Sequence, residues 1–182
     1  MALYEWNAST AGLLGTALGH SEIVLRNAID TALTARHQRL HRAGHWLDDP
    51  HRELDQRARD DIETARARLQ RAGAPALPGK LIAELTFGFW RFLLARRYTT
   101  TLWSGIRPGF PHMPGRDRRV IEAPVARLHL LRNRIAHHEP LLAEPLPDRY
   151  DDLLTLVGYV DPALRTWLEA ITDIPHQLAR RP

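Results

Sequence analysis

The chain contains no cysteine among its 182 residues and only one lysine, Lys80. The lack of cysteine excludes disulfide bonds, thiolate nucleophiles and zinc sites with cysteine ligands. No stretch approaches the roughly 18 uncharged apolar residues that a membrane-spanning helix needs, and the first residues lack the basic and apolar regions of a signal peptide. We therefore expect a soluble cytoplasmic protein without a membrane partner, folded as one domain over residues 1–182.

Arginine carries nearly all of the positive charge, and that charge is unevenly distributed. Of the 25 basic residues, 24 are arginine, which can bind phosphate through two hydrogen bonds, although a GC-rich genome produces the same bias. Residues 91–139 carry ten basic and three acidic side chains, a net charge of +7, whereas the whole chain carries +4. This segment is therefore predicted to face an anionic partner.

The fold class predicted is all-α, because apolar residues recur every three or four positions and no run alternates as a strand does. We expect a single bundle of about five to seven helices. A first helical segment, from about residue 3 to 39, is expected to break near Gly19-His20-Ser21, where Ser21 could cap a second helix. Asp48-Asp49-Pro50 and Asp161-Pro162 each pair a capping residue with a proline and predict helix starts.

The last strongly periodic helix before the C-terminal region is predicted to hold Pro124 in its first turn and to end at about Glu139. That end is expected because the residue before a proline avoids the helical region. Seven of the 13 aromatic residues lie between Phe87 and Phe110. They could stack on RNA bases, but their helical spacing favours a role in the core.

The residues that can carry chemistry cluster at the end of this helix: Arg132, Asn133, His137 and His138. Histidine can move protons on and off the 2′-hydroxyl and the leaving 5′-oxygen of RNA, which allows cleavage without a metal. Arginine can hold the phosphate and offset the charge that develops on it. The cluster predicts a metal-independent site without a cofactor.

An arginine, a polar residue and a histidine a few positions later form the signature of the HEPN superfamily of all-α ribonucleases and nucleic-acid-associated domains. More narrowly, the chain resembles the Abi-like (abortive-infection) family. The blocks that carry this resemblance are Tyr4–Asn7, Glu22–Ala28, Leu85–Leu93 and Arg132–Pro140. The resemblance implies a HEPN-like helical domain, a homodimer with the arginines and histidines of both copies facing one groove, and phage defence or toxin activity. It also implies cleavage of RNA to a 2′,3′-cyclic phosphate end, and an antitoxin or another defence-system partner is possible.

By position, the resemblance assigns phosphate stabilisation to Arg132, its orientation to Asn133 and the general base or acid to His137. His138 also satisfies the spacing. A helical wheel places His138 close to the buried face and His137 largely away from it. A site in a dimer groove therefore makes His137 the catalyst and His138 a packed structural residue, whereas a site inside the bundle reverses the roles. Of the two assignments, we favour His137 as the catalyst.

Other polar residues are assigned supporting roles or none. Glu22, Arg26 and Asn27 could orient the site, or Glu22 and Arg26 could pair only to stabilise their helix. RNA contacts are expected from a larger set of arginines, for each of which a solvated face is the alternative: Arg91, Arg96, Arg97, Arg116, Arg118, Arg119 and Arg134. The spacing of His37, His41 and His45 could present a metal, but no carboxylate completes the set, so no metal site is predicted.

Two other functions fit the same residues. The basic helix end could bind RNA, a nucleotide or a protein partner and cleave nothing, in which case binding would weaken with salt and no product would form. The polar helix end could instead build a dimer interface in a structural protein.

Overall fold

The computed structural model describes residues 1–182 and confirms the all-α fold, with 71% of the residues in helices and no strand. The nine α-helices are α1 (Ala2–Arg39), α2 (Gln56–Arg71), α3 (Pro78–Glu84), α4 (Phe87–Leu93), α5 (Trp103–Ile106), α6 (Arg119–Ala136), α7 (Leu146–Val160), α8 (Pro162–Ile171) and α9 (Ile174–Ala179). There are more helices than the predicted five to seven, because residues 78–106 form three short helices. None of the helices is long and apolar enough to cross a lipid bilayer.

Helix α1 is continuous, so the predicted break near Gly19 is wrong. Its inner face is fully buried, with Leu14 and Leu25 at 0% exposure, and this burial outweighs the low helix propensity of glycine. Ser21 does not cap a second helix, because its hydroxyl donates to the carbonyl of Ala17 at 2.9 Å within the same helix.

Two further helix boundaries differ from the predictions. Asp55, not Asp48 or Asp49, caps α2, and its carboxylate accepts a hydrogen bond from the Ala58 N–H at 2.9 Å. Pro124 lies inside α6 beyond the first turn, since that helix already begins at Arg119. The predicted start at Asp161-Pro162 is confirmed: the Asp161 carboxylate accepts from the Ala163 N–H at 2.8 Å.

The chain forms two compact units, which are described separately. Unit 1 comprises residues 1–25 and 110–182, and within it α7 packs against α6, α8 and α9. The buried face of α6 includes Val125, Leu128 and Leu131. This packing leaves the C-terminal end of α6, where the predicted site lies, at the surface.

Unit 2 comprises residues 26–109 and has an aromatic core. The Phe89 and Trp90 rings meet edge to face with centroids 5.0 Å apart, and Trp46 packs against both. Trp90 is completely buried and Phe87 and Phe89 nearly so. These three rings are therefore core, as their helical spacing favoured, and inaccessible to RNA bases, whereas Phe92 is half-buried.

An ion-pair network in unit 2 predicts an acid-sensitive contribution to stability. Hydrogen bonds from Arg36 and then Arg42 lower the pKa of Glu53 from 4.5 to about 2. A carboxyl group whose pKa falls on folding stabilises the protein above its unfolded pKa and loses that contribution as the pH falls through the folded one. After solvent screening, we expect Glu53→Gln to lower the free energy of unfolding by about 2 kcal/mol near neutral pH.

The difference between wild type and Glu53→Gln should shrink between about pH 4.5 and about pH 2. Urea unfolding of both proteins at several pH values measures this difference. All other carboxyl groups are present in both proteins, so their titration cancels in the difference. A difference that stays constant over this range would contradict the assignment.

Candidate active site

Helix α6 ends at Ala136, three residues before the predicted end at Glu139. The His138 N–H donates to the carbonyl of Ile135 at 3.1 Å, and the Glu139 N–H donates to that of Arg134 at 2.9 Å. His138 itself is left-handed, with φ of 55°. This pair of hydrogen bonds around a left-handed residue is a Schellman motif, which satisfies the last carbonyl groups of a helix. The left-handed residue, and not only the following proline, ends the helix.

Both candidate histidines lie beyond the last helical residue and are exposed. His137 is the C-cap residue, and its N–H donates to the carbonyl of Asn133 at 2.9 Å. Neither imidazole makes a hydrogen bond or an ion pair. The helical wheel that placed His138 near the buried face assumed a helix that continues past Ala136. The packed structural role considered for His138 is therefore wrong.

Arg132 and Arg134, near the end of α6, differ in whether their charge is paired with a carboxylate. Arg132 is exposed, and its guanidinium makes no ion pair or hydrogen bond. Arg134 instead pairs with Glu139 at 3.2 Å and with Glu144 at 2.9 Å. Because its charge is already balanced by two carboxylates, Arg134 is a poorer phosphate ligand than Arg132. Asn133 lies between them and is half-buried.

The segment that follows the histidines is anchored by residues far away in the sequence. The Leu141 N–H donates to the side-chain oxygen of Asn7 in α1 at 2.8 Å. The Arg181 guanidinium donates to the carbonyl of Leu142 at 3.0 Å and lies 5.3 Å from the ring of Trp6. Contacts from α1 and from the C-terminal region thus hold the segment after α6 in place.

These anchors were missed in the sequence analysis. Asn7 belongs to a block that carried the family resemblance, but it is 134 positions from its partner. No local pattern links residues at that separation. Trp6 is similarly fixed, since its ring N–H donates to the carbonyl of Gln177 at 2.8 Å.

The three residues expected to orient the site differ from one another in burial. Glu22 is half-buried in α1, Asn27 is exposed, and the buried Nε of Arg26 has no hydrogen-bond partner. The pairing of Glu22 with Arg26 considered for this helix stays a prediction. An orienting role for these three residues stays a prediction.

One of the predicted RNA-binding arginines of unit 1 is buried. Arg118 is 8% exposed and pairs with Glu122 at 3.3 Å, so an RNA contact from Arg118 does not fit its position. Arg119 is exposed and pairs with Asp117 at 2.7 Å, and these contacts lower the pKa of the Asp117 carboxyl. Arg116 is also exposed.

In unit 2, only one of the three predicted RNA-binding arginines is without a partner. Arg96 is exposed, whereas Arg97 forms an ion pair with Asp55. The guanidinium of Arg91 is 4.5 Å from the ring centroid of Phe92 and half-buried. RNA binding by these residues stays a prediction.

The three histidines at helical spacing are not arranged as metal ligands. His37 is buried, and its Nε2 lies 3.0 Å from the carbonyl oxygen of Ala43. His45 caps the next turn, where its Nδ1 accepts from the Leu47 N–H at 3.3 Å. His41 is exposed and left-handed, with φ of 50°. No group of three or more histidine, aspartate or glutamate side chains lies close enough to hold a metal ion.

Comparison of the chain with protein-family models, with curated proteins and with solved structures gave no match.

Proposed function

We propose that this protein is a metal-independent endoribonuclease of the HEPN type, acting in phage defence or as a toxin. The observation that carries the proposal is the exposed end of α6, where the unpaired Arg132 and two unpaired imidazoles lie within seven residues. An exposed cation without a carboxylate partner is available to a phosphate. The anchored segment after the helix limits how far the histidines can move.

The proposed reaction uses the RNA 2′-hydroxyl as the nucleophile. A histidine removes the proton from this hydroxyl, and its oxygen attacks the adjacent phosphorus. The bond to the 5′-oxygen then breaks, and a second imidazole donates a proton to that leaving oxygen. The products are a 2′,3′-cyclic phosphate and a 5′-hydroxyl. Arg132 stabilises the negative charge that develops on the phosphate oxygens.

This reaction needs one proton acceptor and one proton donor. We assign the first role to His137. The second imidazole is that of a second copy of the chain in a homodimer, as the family resemblance implies.

A second candidate function is an RNA-binding module that cleaves nothing. It is favoured by one observation, that no side chain or carbonyl orients either imidazole ring. Catalytic histidines are commonly oriented by such a partner. In this alternative, Arg132 binds phosphate and the histidines add only hydrogen bonds or charge.

The test is incubation of the purified protein with single-stranded RNA in the presence of EDTA. We expect fragments that end in a 2′,3′-cyclic phosphate, with activity lost in Arg132→Ala and retained in Arg134→Ala. Arg134→Ala is the matched control, because it removes a neighbouring arginine whose charge is already balanced. Cleavage by Arg132→Ala at the wild-type rate would contradict the proposal, and salt-dependent binding without products would favour the binding module.

A further inference from the structure

An open groove of about 560 Å³ lies beside the end of α6 within unit 1. Small residues of α1 and larger residues of α1 and of the end of α6 line it. The small residues are Ala8, Ala11, Gly12 and Gly15, and the larger ones are Tyr4, Asn7, Thr16, Ile135, His138 and Glu139. A volume of this size lies within the range of small-molecule sites in proteins. The groove therefore has room for a ligand directly next to the candidate active site.

The groove is open because α1 has glycine where a larger residue would fit. A Cβ atom added at Gly12 would meet no heavy atom within 4 Å, and one added at Gly15 would lie 3.7 Å from Ile135 Cγ2. Close helix packing therefore does not require glycine at either position. Glycine is also the poorest helix former after proline. Because they have no side chain, these glycines leave the groove unfilled.

The walls of the groove offer the groups that recognise a nucleobase. Tyr4 is 74% exposed, so its ring is available for stacking at one side. Asn7 Oδ1 accepts from the Leu141 N–H and Glu139 Oε2 accepts from Arg134, which leaves the Asn7 amide N–H groups and Glu139 Oε1 for the polar edge of a base. His138 joins the groove to the active-site segment. Single-stranded RNA is typically recognised by such stacking combined with hydrogen bonds to base edges.

We propose that this groove binds a base of single-stranded RNA, on a nucleotide adjoining the phosphate held by Arg132. The inference rests on the proposed function, because that function supplies RNA as the ligand. A groove that receives a helix of a second protein is apolar along its length. Here one wall contains His138 and Glu139, which favours a ligand with both a flat apolar face and polar edges.

The experiment uses the full chain and a short fluorescent RNA with 2′-O-methyl groups, which binds but has no 2′-hydroxyl to attack the phosphate. Fluorescence anisotropy at fixed salt gives the affinity. We expect Gly12→Leu, which fills the groove, to weaken binding at least about tenfold. Tyr4→Ala should weaken binding by about 5- to 150-fold, which corresponds to the 1–3 kcal/mol typically lost when a stacked aromatic side chain is removed.

The matched control is Gly19→Leu on the same helix. Gly19 is also exposed, and a Cβ atom added there also meets nothing within 4 Å, but Gly19 does not line the groove. Both leucine variants replace glycine in α1 and should fold. We expect Gly19→Leu to bind the methylated RNA as tightly as the wild type does.

The outcomes separate this inference from the proposed nuclease function. Wild-type affinity in Gly12→Leu would overturn the groove assignment even if the enzyme cleaves RNA, and so would failure of the wild type to bind the methylated RNA. Binding that depends on Gly12 but without cleavage of ordinary RNA would support the groove and overturn the nuclease. A change of molecular mass in Gly12→Leu, measured by light scattering, would assign the groove to a second copy of the chain instead.

Discussion

We expect His137→Ala to lower the rate of RNA cleavage by about 10²- to 10⁴-fold, the usual contribution of a general acid or base. The side chain is exposed at the C-cap of α6 and makes no hydrogen bond, so its removal should not disturb the fold. Single-turnover rates with excess protein in EDTA measure the chemical step separately from product release. Far-ultraviolet circular dichroism confirms that the variant keeps its helices.

The control for this experiment is His138→Gly, which removes the neighbouring imidazole at no conformational cost. Glycine adopts positive φ readily, so the Schellman motif at the end of α6 should persist. We expect a loss of activity below about tenfold. A loss equal to that of His137→Ala would place the essential proton transfer on His138, and wild-type rates in both variants would remove histidine from the mechanism.

The second large effect is a loss of stability in Asp152→Ala, which we expect to lower the free energy of unfolding by about 3–5 kcal/mol. Asp152 is 7% exposed and accepts hydrogen bonds from Arg127 and Arg149, each with one contact of 2.8 Å. Arg149 is 8% exposed, and its Nε is buried without a hydrogen-bond partner. Removal of the carboxylate leaves this buried cation without its counter-charge.

Urea unfolding followed by circular dichroism measures this loss. Asp173→Ala is the matched control, since Asp173 is exposed and its pair with His176, at 3.4 Å, lies at the surface. Surface pairs contribute little, so we expect a change within about 0.5 kcal/mol. A loss below about 1 kcal/mol in Asp152→Ala would mean that solvent or another group compensates Arg149.

The parts of the fold that depend on periodic burial could be predicted from the sequence. For example, Leu14, Leu18 and Leu25 recur on α1 at helical spacing, and all three are buried. Helix boundaries were harder, because glycine and capping residues act through energies of about 1 kcal/mol that packing overrides. The continuous α1 is the largest example, since its packed face runs past Gly19.

The candidate site rests on local spacing in the sequence, whereas its electrostatics could not be predicted from the sequence. Arg132 and Arg134 look equivalent in the sequence, and only the positions of Glu139 and Glu144 distinguish them. The left-handed backbone of His138 was likewise not predictable, because histidine adopts that conformation only occasionally. Anchoring by Asn7 depends on tertiary contacts that no local pattern encodes.

The anchoring of the segment after α6 has a consequence for synthesis on the ribosome. Leu141 is held by Asn7, and Leu142 is held by Arg181. Contacts between such distant residues form late, because the intervening chain must first be ordered. The segment that carries the candidate site would therefore reach its final position only after residues as far as 181 had left the ribosome, so the site would be completed after nearly all of the chain had been synthesised.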